Sequence, residues 1–280
     1  MREPPFVSCI ITAYNMAAYL GAAIESALGQ DFPRSEREVI VVDDGSTDGT
    51  AAILARYGGR IRSFRQDNAG QGAAMIRALR AARGEIIAPL DADDVWLPAK
   101  ISRSVAALEG VQDAVVVSHE CQYVDKDLRP IALRFEPRYA ASRRVVDLEK
   151  ESLAQFHAGG GRIVLCNTGS ATVYRKSAVE AYIKSCRPPA VFADGFFTLL
   201  ALSAGGKAVI LGDVLSLYRR HGNSVTERLK TSKPFMEMHV DALRLIEAAG
   251  RRLLAGDLRM LLKLWTAHSL FTERRKSVIK

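Results

Sequence analysis

The chain has 280 residues, 48% of them hydrophobic, and a formal net charge of +8. Such a length is ample for a large core, in one big α/β domain or a domain plus an appendage. No run of about 18 apolar residues is free of charge, and Met1-Arg2-Glu3-Pro4-Pro5 leads directly into a strand-like run, so neither a membrane-spanning helix nor a signal peptide is expected.

Val7 to Thr12 is a short apolar run that reads as a buried strand. Ala13-Tyr14-Asn15 turns the chain, and Asn15 is placed to cap a helix carrying Tyr19, Leu20, Ala23, Ile24, Ala27 and Leu28 at helical spacing. Pro33 closes that unit. Glu38 to Val42 is the second strand, with Asp43-Asp44-Gly45-Ser46-Thr47-Asp48 as its exit loop. Thr47 or Asp48 caps a helix through Ile53, Leu54 and Tyr57 that Gly58-Gly59 stops. Ile61 to Phe64 is a third, shorter strand, and the polar loop 66–72 leads into a helix over Ala73–Arg83. The apolar run from Ile86 then enters Asp91-Ala92-Asp93-Asp94.

Strand–helix alternation repeated four times predicts a parallel sheet with helices on both faces. Ligands in such sheets bind beyond the carboxyl ends of the strands. The three most polar loops, Thr12–Asn15, Asp43–Asp48 and Asp91–Asp94, all fall at those ends. One site is therefore expected, with an aromatic ring (Tyr14), carboxylates for hydroxyl or ring N–H groups (Asp43, Asp44) and carboxylates for a metal (Asp91, Asp93). Like charges as close as Asp91, Asp93 and Asp94 repel and call for a counter-charge, and carboxylate oxygens suit Mg²⁺ or Mn²⁺ shared with substrate phosphates. The alternative is a solvated acidic turn in which Asp93 or Asp94 caps the next helix. Neither a GxGxxG nor a GxxxxGK[ST] segment is present, so a dinucleotide or P-loop enzyme is not indicated.

In the second half, Leu97 to Leu108 reads as a helix with Pro98 in its first turn, and Asp113–Ser118, continued through Val124, as a strand ending at an Asp125-Lys126-Asp127 hairpin tip. A helix is expected from Asp147 to His157, followed by the loop Gly159-Gly160-Gly161. A strand over Asn167–Tyr174 precedes a helix from near Ser177. Asp194 opens an apolar helix and can be read as its N-cap. Lys207–Leu211 is a further strand, and Leu215 to Arg220 leads to His221 before a Gly-Asn-Ser turn. From Ser232 the pattern is helical. The last helix, apolar with Arg274-Arg275-Lys276 at its end, fits packing on the domain, a second subunit of a homo-oligomer, or a membrane surface. Cys9, Cys121, Cys166 and Cys186 lack CxxC spacing, which makes reduced structural thiols of a cytoplasmic protein the default. The positive excess suits phosphorylated small molecules or an anionic membrane face, and no motif points to nucleic acid.

Val7–Asn15, Val41–Thr50 and Gly84–Asp94 together resemble the family 2 glycosyltransferases with a GT-A fold. That resemblance implies an α/β, Rossmann-like, mostly parallel sheet flanked by helices, with a C-terminal helical extension. It implies a GT-A domain over residues 1–225, with a nucleotide-sugar half to about 110 and an acceptor half from about 111, and the extension over 226–280. It implies a nucleoside diphosphate sugar donor, UDP first, inversion at the transferred carbon, Mn²⁺ or Mg²⁺, and a glycan or lipid-linked acceptor at the inner face of a membrane. Carried over residue by residue, Thr12, Ala13, Tyr14 and Asn15 line the base pocket. Asp44 receives the base N–H, with Asp43 supporting it or reaching the ribose. Asp91 and Ala92 lie against the nucleotide, and Asp93, with Asp91 and His221, holds the metal. Arg219 or Arg220 neutralises phosphate charge, and Asp194 is the general base. Two positions depart from the family pattern: Met75-Ile76 replaces a polar pair in the helix after Gly70, and Ala193 replaces the Glu before Asp194. The alternative they leave open is a catalytically degenerate member that binds nucleotide or a partner.

Overall fold

The computed structural model describes residues 6–131, 144–147, 168–183, 196–198, 200–201 and 204–222. Four β-strands with intervening helices form the first half: β1 (Val7–Ala13), α1 (Leu20–Leu28), β2 (Arg37–Asp43), α2 (Thr50–Ala55), β3 (Arg62–Arg65), α3 (Gln71–Ala81) and β4 (Ile86–Asp91). They pair in parallel in the order β3-β2-β1-β4, as the alternation predicts. The second half adds β5 (Val95–Trp96), α4 (Lys100–Glu109), β6 (Ala114–Val124), β7 (Arg144–Asp147), β8 (Thr172–Arg175), α5 (Ser177–Ile183) and β9 (Lys207–Arg219). Among the described residues the sheet has nine strands in the order β3-β2-β1-β4-β8-β6-β9-β5, with β7 also on β9.

The mixed half decides where the site lies. β8 runs antiparallel to both β4 and β6, and β9 is parallel to β6. The carboxyl ends of β1, β2, β4, β6 and β9 therefore all open on one edge of the sheet. β4 is buried along its length before reaching Asp91, and β1 is nearly so. Such strands, apolar on both faces, need helices on both sides. One face packs α3 (Ala74, Met75, Ala78, Leu79), α5 (Val179, Ile183) and the helical residues Phe196, Phe197, Leu200 and Ala201 against Ile10, Ile40, Val42 and Ile87. The other packs Leu20, Ile24 and Ala27 of α1, Leu54 of α2 and Ile101, Val105 and Leu108 of α4 against Cys9, Ile11, Val41 and Ala88.

Several local expectations are corrected. Asn15 does not cap α1, which starts at Leu20. Its backbone is left-handed at φ +54° and its side chain is taken by the neighbouring loop. Asp147 ends strand β7 rather than opening a helix. The strand expected over 167–174 is preceded by a 3₁₀ turn at Gly169–Ala171, where Gly and Ser interrupt the extended pattern. α3 stops at Ala81, before Gly84, and Lys207–Arg219 is one continuous strand. The departure at Met75-Ile76 is absorbed by packing, since both side chains lie in the core. The helix to His157, the loop 159–161, Asp194 and the helical extension 226–280 lie outside the described residues. No helix among the described residues is long and apolar enough to cross a membrane. Cys9 and Cys121 are free thiols, and burial pushes them up to about 11 and about 12, which fits an inert structural role.

Candidate active site at the carboxyl edge of the sheet

Register places the loops side by side. Thr12 pairs with Val42 on one side and with Asp91 on the other, and Ala13 pairs with Asp43. The β1–α1 and β2–α2 loops are then zipped together. Asn15 N donates to Ser46 Oγ (2.9 Å), Met16 N to Thr50 Oγ1 (3.1 Å) and Ala17 N to Asp48 Oδ2 (3.0 Å). Asn15 Oδ1 accepts from Thr47 N at 2.8 Å. Tyr14, carried at the tip, is 41% exposed and available to lie against a flat ligand.

Asp43 and Asp44 are buried and differently partnered. Asp43 accepts from Ser46 N (2.9 Å) and forms an ion pair with Arg65 (3.0 Å). Asp44 accepts from Gln66 Nε2 (2.7 Å), Ala69 N (3.0 Å) and Gly70 N (2.8 Å), which fastens the 66–70 loop to the end of β2. A carboxylate accepts about four hydrogen bonds, so Asp44 retains room for one further donor. Gly45 makes the close approach possible: its φ is +77°, and a Cβ there would sit 2.7 Å from Asn68 N.

The three carboxylates of Asp91–Asp94 have three different tasks. Asp91 is held from the β8 side: its N–H donates to Ser170 Oγ (3.0 Å), and its Oδ2 accepts from Thr168 Oγ1 (3.2 Å). Trp96 Nε1 in turn fixes Ser170 O at 2.9 Å. Asp93 Oδ2 meets His221 Nε2 at 2.9 Å. Asp94 is 1% exposed and accepts the backbone N–H of Arg219 at 2.9 Å, tying the acidic loop to the end of β9. Arg219 is also buried. Its guanidinium donates to Asp93 O and Lys126 O, both at 2.7 Å, and lies 4.8 Å from the Tyr19 ring centre. Among the described residues its Nη2 has no hydrogen-bond partner, and neither does His221 Nδ1. The His221 ring packs 4.4 Å from Tyr19.

The structure thus brings Asp91, Ala92, Asp93, Arg219 and His221 to one loop, flanked by Thr12–Asn15 and Asp43–Asp44. Sequence reasoning passed over Tyr19, Thr168, Ser170 and the structural task of Asp94. The polar Thr168-Gly169-Ser170 step was the one available signal. Among the described residues no three His, Cys, Asp or Glu side chains come close enough to cage a metal. The donor set still fits Mg²⁺ or Mn²⁺, which is commonly held by one or two carboxylates with phosphate oxygens and water completing the shell. Asp91 and Asp93 are the two carboxylates the loop offers for such a role, and His221 Nε2 lies in hydrogen-bond contact with Asp93.

The sequence profile of glycosyl transferase family 2 matches residues 8–183. An uncharacterized glycosyltransferase of Nostoc sp. is 33% identical over 222 residues, 77% of this chain and 65% of that protein. The Escherichia coli UDP-Glc:α-D-GlcNAc-diphosphoundecaprenol β-1,3-glucosyltransferase WfaP is 38% identical over 123 residues, 43% of this chain and 47% of that protein. The chain therefore spans from about half to about two thirds of these relatives. Among solved structures, Staphylococcus aureus TarS 1–349 in complex with UDP-GlcNAc superposes with a TM-score of 0.65 at 21% identity, over 87% of this chain and 66% of that one. The mannosyltransferase PcManGT from Pyrobaculum calidifontis, in complex with GDP-Man and Mn²⁺, gives a TM-score of 0.60 at 18% identity, over 99% of this chain and 81% of that one. These two establish the GT-A fold.

Proposed function

The chain belongs to glycosyl transferase family 2, and from that premise we propose that it is a metal-dependent, inverting enzyme. It moves a sugar from a nucleoside diphosphate sugar to a hydroxyl of a glycan or lipid-linked acceptor. The observation that carries the reading is the Asp93–His221 pair at 2.9 Å, on an acidic loop flanked by the β1 and β2 loops at the ligand edge. UDP is the nucleotide favoured, in keeping with the names of the E. coli relative and of the TarS complex.

In this reading Thr12, Ala13, Tyr14 and Asn15 receive the base, with Tyr14 stacking on it. Asp44 uses its remaining acceptor position for a base N–H, and Asp43, held by Arg65, supports the loop. Asp91 and Ala92 lie against the nucleotide. Asp93 and Asp91 hold Mg²⁺ or Mn²⁺, which when bound supplies charge stabilisation to the departing diphosphate. His221 keeps the Asp93 carboxylate aimed. Arg219 shapes the loop through its two carbonyl contacts and adds fixed positive charge beneath the diphosphate. Asp194 takes the proton of the acceptor hydroxyl as that oxygen attacks the face opposite the leaving group, so the new bond forms with inversion. Residues 1–225 form the catalytic domain, and 226–280 an extension that contacts the cytoplasmic membrane face or a second subunit.

Calorimetric titration with UDP, dTDP, GDP and CDP, each with Mn²⁺ and with EDTA, tests the reading. One nucleotide is expected to bind, and only with metal. Binding of none, in either condition, would refute the donor site and favour a degenerate member that binds a partner.

A further inference from the structure

Tyr19 has no part in the reading above, and its ring is used in an unusual way for an aromatic on a core helix. α1 buries Leu20, Ala23, Ile24 and Ala27 against the sheet. Tyr19, at the head of that helix, lies off the stripe, and neither apolar core includes it. Its ring goes instead to two polar side chains at the end of β9. The His221 ring centre lies 4.4 Å away, tilted by 41°, and the Arg219 guanidinium lies 4.8 Å from the Tyr19 ring centre. Among the described residues the Tyr19 hydroxyl makes no hydrogen bond, so the ring itself makes the contact.

Both side chains lack a support that only this ring supplies. His221 is held at one atom: Nε2 meets Asp93 Oδ2 at 2.9 Å, while Nδ1 is buried with no hydrogen-bond partner among the described residues. An imidazole pinned at one nitrogen can swing about that bond, and an aromatic ring packed against it removes the freedom. Arg219 is fixed at Nε and Nη1 by the carbonyls of Asp93 and Lys126, both at 2.7 Å, and its Nη2 is buried without a hydrogen-bond partner among the described residues. The negative face of an aromatic ring attracts such a guanidinium. The main chain of Tyr19 belongs to the other half of the site. Its N–H donates to Met16 O at 3.0 Å, and Met16 N donates to Thr50 Oγ1 at 3.1 Å where the β1–α1 and β2–α2 loops are zipped together. α1 is also tied to the strand that leaves the acidic loop, since Trp96 N donates to Ser26 Oγ at 3.1 Å. Tyr19 is thus a fixed post, planted beside Thr12–Asn15 with its ring against the residues that close the acidic loop from β9.

We infer that Tyr19 is a positioning residue for the donor diphosphate: its ring holds the His221 imidazole on Asp93 and the Arg219 guanidinium against the acidic loop. The inference rests on the glycosyltransferase reading. The ring carries the role, not the hydroxyl. The part of the donor it serves is the diphosphate, although the residue itself stands on the loop that receives the base.

The test compares the full chain with Tyr19→Phe and Tyr19→Leu in three measurements. They are calorimetry with UDP and Mn²⁺, ligand-observed NMR titration with uridine, and the rate at which diethyl pyrocarbonate acylates His221 in the free protein, read by peptide mass spectrometry. Tyr19→Leu is expected to weaken UDP binding about 3- to 10-fold and to leave uridine binding within about twofold. Its His221 is expected to be acylated several-fold faster, because the ring that covers the imidazole is gone. Tyr19→Phe is expected to match the wild type in all three. Equal losses for UDP and uridine would overturn the inference, since Tyr19 would then only hold up the base loop. Unchanged UDP binding or an unchanged acylation rate in Tyr19→Leu would also overturn it. So would a Tyr19→Phe variant that behaves like Tyr19→Leu, because the hydroxyl would then be the working group. A Tyr19→Leu chain that fails to fold counts against it as well, since a side chain outside both cores is not needed for folding. A wild type that binds neither UDP nor uridine counts instead against the glycosyltransferase reading, and the acylation rates then decide whether Tyr19 holds His221.

Discussion

Replacing Lys100 by methionine is expected to stabilise the protein at neutral pH and to do the reverse in alkali. Lys100 is fully buried at the start of α4. Its ammonium has Thr172 O at 3.3 Å and the Trp96 ring centre at 3.7 Å, although it carries three donors. Burial lowers its pKa from 10.5 to about 7. Facing it are the Cys9 thiol on β1 and the His119 imidazole on β6, the latter kept neutral and lowered to about 3 first by burial and then by the Lys100 charge. Between about pH 10.5 and pH 7 the unfolded chain binds the lysine proton and the folded chain does not. Stability therefore falls as pH drops through that window and levels off below it. One pKa unit is about 1.4 kcal/mol, so the ceiling of the effect is roughly 5 kcal/mol. Methionine keeps the stem packing and gives up the carbonyl bond and the cation–π contact, together about 1–3 kcal/mol. Lys100→Met should thus gain roughly 2 kcal/mol at pH 6.5 and lose about 1 kcal/mol at pH 10, where the lysine is already neutral. Urea unfolding of both proteins at the two pH values measures the difference. A variant less stable than the wild type at pH 6.5 would show that the buried ammonium is better solvated than its contacts indicate.

Three further outcomes follow from the site. On the proposed donor-site reading, Asp93→Asn should weaken Mn²⁺-dependent nucleotide binding by at least about 10- to 100-fold and His221→Ala by less; calorimetry reads both, and unchanged binding in Asp93→Asn would refute the metal role. Gly45→Ala should destabilise by about 2–4 kcal/mol in urea melts, because it combines a φ of +77° with a backbone contact at 2.7 Å. Ser170→Ala leaves Asp91 N without its acceptor; a loss of about 1–2 kcal/mol in the same melts is expected, with a weaker Mn²⁺ response than in the wild type.

Some of this was legible along the chain because it is local. Strand–helix alternation with apolar runs at β1, β2 and β4 set the parallel half. The polar loops that end those strands place Thr12–Asn15, Asp43–Asp48 and Asp91–Asp94 at one edge. The tertiary structure decided what depends on pairings distant in sequence. Asp93 and His221 are 128 residues apart and meet only because β9 runs parallel to β6 and ends on the same edge as β4. Asp94, one of three similar carboxylates in sequence, becomes structural because the Arg219 N–H reaches it from that strand. Asn15 looks like a helix cap by type, yet the Thr47 N–H of the next loop claims its side chain while its own backbone N–H donates to Ser46 Oγ, since a side chain bonds whatever donor the fold brings within reach. Alternation is a property of the chain, but partners are assigned by which strand ends share an edge, and the antiparallel direction of β8, which fixes this for the second half, leaves no mark in a sequence that shows the strand itself.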